Sequence, residues 1–179
     1  VNADDPLLNG RLLELASEIL DGDDSIVAVY PDWKVIDSDG NTIRVVKVAD
    51  YSLINLIGRN MCLPGPGTVF RKSSALRIKG RNPDWKFVGD YDFWLRLSNL
   101  GRFQHIPIVL AQWREHTDST SVAQRNQKMA QERIRVISEF LKSTVMPEHI
   151  ARMAIANSYY LAARLSYFDK SISGQKLMI

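Results

Sequence analysis

Residues 25–37, SIVAVYPDWKVID, are dense in β-branched and aromatic side chains, which suit a pleated strand better than a helix. The turn SDGN follows at once, and then TIRVVKV. Two such runs around a short Asp-Gly turn predict a hairpin. A third β-rich stretch, RFQHIPIVLAQWREH, lies well downstream, and helical stretches precede, separate and follow these strands. The predicted class is therefore α/β, a sheet with flanking helices and then a helical tail.

The helices are marked by spacing and by their ends. LLNGRLLELASEIL carries Leu8, Leu12, Leu15 and Ile19 at helical intervals and stops at DGDD. Asp5-Pro6 reads as its entry, because Asp caps and Pro suits the first turn. DYSLINLIGRN predicts a short helix ending near Gly58, and RKSSALRIKG a strand end followed by a short helix stopped by Gly80. RNPDWKFVG reads as a loop. DYDFWLRLSNLG predicts a helix with Asp90 at its start, Gly101 at its end, and Phe93, Trp94 and Leu97 on its buried side. From Val122 the texture changes. AQRNQKMAQERIRVISEFLKS is amphipathic, MPEHIARMAIANSYYLAARLSYF is a second helix, and DKSISGQKLMI begins a third. The chain thus divides into residues 1–121 and a helical extension over 122–179.

Composition narrows the function classes. With 45% apolar and 24% charged residues, the 179-residue chain has a globular balance. Its net charge of +3 comes with no Lys/Arg block, so a nucleic-acid partner is not indicated. Cys62 is alone, which excludes a disulfide framework and a cysteine metal cluster and suggests a reducing, cytosolic-side setting. No apolar run approaches the roughly 18 residues of a membrane span, and there is no signal peptide. The start looks cut, since Val1 reads like the end of a buried strand.

Several residues can carry chemistry. Asp4 and Asp5, at a strand end before a helix, suit a divalent cation, which takes carboxylate and phosphate oxygens; plain capping by Asp5 is the simpler role. Pro64-Gly65-Pro66-Gly67 is a loop in which backbone passes close to something. Asp90 follows Gly89 at a loop–helix junction, where a carboxylate can act as a general base. Asp92 and Arg96 are spaced as a surface ion pair. His116, at a strand end after Arg114, can reach a metal or a diphosphate. His105 and His149 read as structural. Arg71 either meets an anionic leaving group or is a solvated charge. Trp85 offers a face to a sugar ring or covers the core edge.

The order NADD, VYPDW with its hairpin, PGPGTVFRKS, GDYDFWLRLSNLG and IPIVLAQWREHTDSTS resembles the family 2 glycosyltransferases of the GT-A fold, over Val1 to Ser121. The resemblance implies a partial, Rossmann-like mixed sheet. It places Asn2, Asp4 and Asp5 on the family's Asp-x-Asp motif, whose carboxylates hold Mg²⁺ or Mn²⁺ on the diphosphate of a nucleotide sugar; Asn2 departs from the first acidic position. Asp90 falls on the catalytic base of the family's Glu-Asp motif, with Gly89 in place of the Glu. His116 matches a His that reaches metal or diphosphate, in a stretch shared with Arg114. Gly65 and Gly67 resemble the glycine loop near donor and acceptor. The implied partners are a nucleotide-sugar donor and a glycan or lipid-linked acceptor, handled at the cytosolic face of the membrane in polysaccharide synthesis. The nucleoside-binding half would then lie upstream of Val1, and the 179 residues alone would be inactive.

Two rival expectations use the same residues. Metal-dependent hydrolysis of a phosphate ester would need no further half. A non-catalytic interaction module would be indifferent to Asp90.

Overall fold

The computed structural model describes residues 7–115 and 127–176. Its first strand, β1 (Ile26–Ile36), is buried along almost its whole length. That burial explains its run of apolar residues, because the strand is paired on both edges. β2 (Thr42–Val46) returns antiparallel to it, with Trp33 opposite Val46 and Val35 opposite Arg44. The turn is the expected one. Asp37 accepts the amides of Asp39 and Asn41 at 2.9 and 2.8 Å, and Gly40 takes a φ of +90° that a side chain would resist. β3 (Val69–Phe70) pairs antiparallel with Ala28 and Val29, and β4 (Arg102–Arg114) runs parallel along the other edge of β1. The sheet is thus mixed and open.

Proline shapes the parallel pair. Pro31 has no N–H for the ladder, and the pairing slips there, from Pro31 opposite Ile106 to Asp32 opposite Val109. The residues of β4 passed over at the slip include Pro107.

The chain divides into two compact units, neither continuous in sequence. The first takes residues 7–52, 62–80 and 94–115 of the described chain. Helix α1 (Arg11–Gly22) lays Leu12, Ala16 and Leu20 against Ile26, Val29, Ile106 and Leu110. It starts later than Asp5-Pro6 suggests. Leu7 bridges Ala111 and the Leu8 amide donates to the Leu110 carbonyl, so these leucines extend along β4 before the turn at Asn9 and Gly10. Helix α2 (Lys72–Arg77) ends at Arg77, and the turn that stops it closes on Gly80, whose φ is +66° and whose amide donates to the Ala75 carbonyl. Phe70, Trp94, Phe103 and Tyr51 form a chain of ring contacts with centroids 4.9–6.2 Å apart.

The second unit takes residues 53–61, 81–93 and 127–176, so the extension shares it with two segments from before residue 122. The predicted short helix is a π-helical turn, Ile54–Gly58, closed by the Arg59 amide on the Ile54 carbonyl. α3 (Gly89–Ser98) begins in this unit and continues into the first. α4 (Gln127–Ser143) and α5 (Glu148–Lys176) pack on one another. α5 runs through Asp169 unbroken, so the third helix expected from DKSISGQKLMI is a continuation of the second. α5 seals the π-helical turn: the Asn157 side chain donates to the Gly58 carbonyl at 2.8 Å, and the Asn60 side chain donates to the Ala154 carbonyl of α5 at 3.0 Å. Among the described residues no helix is long and apolar enough to cross a membrane.

Candidate active site

Asp90 occupies the first turn of α3 and is exposed. The amides at a helix N-terminus carry partial positive charge, so a carboxylate is favoured there. One oxygen accepts the Tyr91 amide at 2.7 Å. Gly89 is not forced by space: a Cβ there would meet its nearest neighbour, Arg81, at an ordinary 3.5 Å. Asp92, one residue beyond Tyr91, is buried, which corrects its expected surface position. Arg96 donates to the carbonyls of Ile78 and Gly80 at 2.6 and 2.9 Å, closing the end of α2.

The loop before α3 is held by one side chain from α4. Glu132 accepts the amides of Lys86, Phe87 and Val88 at 3.2, 2.7 and 3.3 Å. Three consecutive amides around one anion make a small backbone nest. Trp85, at the head of this loop, is only 7% exposed, and the Arg135 guanidinium lies 5.0 Å from its ring centroid. A ring so covered presents no open face to a sugar. It caps the core edge, one of the two roles its sequence context allows. Arg133 lies over Tyr91, 4.6 Å from the ring centroid, and donates to the Asn60 carbonyl at 2.9 Å.

The remaining described candidates belong to the first unit. The Gly65 backbone passes the ring of Trp33 so closely that a Cβ would sit 2.7 Å from it. At Gly67, with φ +77°, a Cβ would fall 2.6 Å from that of Ala111. The close approach foreseen for this loop is to the protein's own sheet. Gly65→Ala is expected to destabilise the chain by about 1–3 kcal/mol, the usual cost of forcing atoms into filled space. A shifted urea midpoint, with an altered Trp33 environment, would register it. Arg71 donates to the carbonyls of Ile26 (2.8 Å), Leu20 and Asp23 (3.1 Å), and its ion pair is with the exposed Asp24 at 3.3 Å. It therefore ties the end of α1 to the start of β1. Arg114 donates to the carbonyls of Asp37 and Ser38 at 2.9 and 2.8 Å, joining the end of β4 to the hairpin turn.

One buried polar chain has no counterpart among the sequence candidates. Asp32 on β1 is 1% exposed. Its carboxylate accepts the Val48 amide at 2.9 Å, lies 3.0 Å from the Lys47 ammonium, and is 2.9 Å from His105 Nε2. His105 Nδ1 lies 2.9 Å from Asp50, and its ring stacks on Tyr30, whose hydroxyl donates to the Ala49 carbonyl. Burial pushes the Asp32 carboxyl up, but the Val48 amide, Lys47 and His105 together hold it below the usual carboxylate range. This chain fastens residues 47–50 onto the sheet. Its sequence signal was present: a charged residue inside the apolar run of β1, and a histidine inside that of β4.

No family model and no curated protein matches this chain. The glycosyltransferase resemblance rests on the motifs themselves and their order. Asn2, Asp4, Asp5 and His116 lie outside the described residues. Of the rest, Asp90 and Trp85 share the second unit, and Gly65, Gly67, Arg71 and Arg114 share the first.

Proposed function

We propose that this protein transfers a sugar from a nucleoside-diphosphate sugar to an acceptor hydroxyl, with inversion, and that Asp90 is the general base. The observation that carries the reading is the placement of Asp90: an exposed carboxylate at a helix start, at the end of a loop pinned by Glu132, within the motif order of the family 2 enzymes. In the reaction the acceptor oxygen attacks the anomeric carbon as Asp90 takes its proton. The bond from that carbon to the diphosphate oxygen breaks, and its electron pair leaves with the nucleoside diphosphate. Attack opposite the leaving group inverts the configuration. A divalent cation, which the resemblance assigns to Asp4, Asp5 and His116, would offset charge on that diphosphate.

The test uses the full-length protein. Nucleoside-diphosphate sugars are screened with Mn²⁺ for release of nucleoside diphosphate, and the product's anomeric configuration is read by NMR. Release stimulated by acceptor, lost with a chelator and giving an inverted product is the expected result. Turnover of simple phosphate esters, with no sugar donor consumed, would overturn it.

A further inference from the structure

The tail helix α4 grips the chain on both sides of Asp90. Glu132 takes the amides of Lys86, Phe87 and Val88, Arg135 covers Trp85, and Arg133 covers Tyr91. Asp90 itself stays exposed between these held residues. Residues 81–88 have no strand or helix of their own; Asn82 accepts the amides of Asp84 and Trp85 within the loop, but those of Lys86, Phe87 and Val88 take their acceptor from outside it. The half-buried Glu132 supplies it, with charge-assisted bonds stronger than neutral ones.

We infer that Glu132 is a positioning residue for Asp90, which makes the helical extension a working part of the catalytic assembly. This rests on the transferase reading for what Asp90 does, but the contact itself does not. Without Glu132 the three amides turn to water and the loop samples other conformations. The fraction of molecules with Asp90 aligned on the acceptor then falls, and a misplacement of about 1 Å can cost 10²-fold.

The test compares wild type, Glu132→Gln and Glu132→Ala in the full-length protein. Hydrogen exchange at the Lys86, Phe87 and Val88 amides should accelerate in Glu132→Ala. Glu132→Gln keeps one carbonyl acceptor and should lie between. In the transfer assay kcat should fall in the same order, by about 10- to 100-fold for Glu132→Ala, with the donor KM unchanged. A purely structural role would lower folded yield without this kcat-against-KM split or the partial rescue by Gln. Unaltered exchange at the three amides overturns the inference whatever the kinetics. So does an unaltered kcat in Glu132→Ala where Asp90→Asn abolishes transfer. If Asp90→Asn also leaves kcat unchanged, Asp90 is not the base and the catalytic part of the inference falls with it, while the transferase reading stands on the transfer itself. The exchange data then still report whether Glu132 holds the loop.

Discussion

Asp90→Asn is expected to reduce sugar transfer by roughly 10²–10⁴-fold, the span that a positioned general base contributes. The substitution is nearly isosteric. Its amide oxygen can still accept the Tyr91 N–H that Asp90 accepts at 2.7 Å. What is lost is a group that takes a proton from the attacking hydroxyl. The fold should hardly notice, because removing a charge from an exposed helix start costs about 0.3–1 kcal/mol. Donor binding should also persist, since Asp90 acts on the acceptor. The measurement pairs a transfer assay with equilibrium binding of the donor and a urea titration. Collapse of turnover with binding and midpoint nearly unchanged is the outcome expected. Transfer at wild-type rate would remove Asp90 from the mechanism, and a large midpoint shift would make it structural.

Asp32→Ala should clearly destabilise the fold, by roughly 1–3 kcal/mol for each donor it leaves without an acceptor, the Val48 amide and the His105 ring. Asp32 is 1% exposed, and its carboxylate meets the Val48 amide, Lys47 and His105 together. Lys47 can swing into solvent, being 70% exposed. His105 cannot, with a side chain 7% exposed, and the Val48 amide loses the acceptor that holds residues 47–50 against β1. Against a total stability of about 5–15 kcal/mol, such a loss is large. Asp32→Asn, which keeps the carbonyl acceptor for Val48, should fall between. The effect has a pH signature. The folded Asp32 carboxyl sits below its ordinary value, so its stabilisation is fully present above about pH 4. It is lost as pH falls through the depressed folded value, where both states are protonated. The wild-type advantage over Asp32→Asn in urea midpoint should therefore be full at neutral pH and shrink in acid. A constant gap across that range would mean the carboxylate charge does not matter.

The secondary structure was largely legible because its signals are local. β-branched density marked β1 and β2, the Asp-Gly turn set the hairpin, and Gly80 closed the turn that stops α2. Where local signals misled, a distant partner had intervened. Asp5-Pro6 looked like a helix entry, yet Leu7 and Leu8 pair with Ala111 and Leu110 far along the chain, so α1 begins only at Arg11. Asp92 looked exposed by its charge and spacing, but it is buried.

The candidate site divides in the same way. The sequence by itself determined that an aspartate would stand at the start of α3 behind a loop, because capping preference and a Gly–Asp junction are properties of neighbouring residues. It also determined a hairpin followed by a glycine- and proline-rich turn. Only the tertiary structure decided what those pieces touch. Gly65 lies against Trp33, Arg71 closes the end of α1, Trp85 is covered by Arg135, and Glu132 reaches back across more than forty residues to the loop before Asp90. Such pairings depend on burial and on unsatisfied amides meeting a carboxylate through space. No spacing rule along the chain encodes them, because the chain separation of two groups does not fix their distance once the intervening segments have folded.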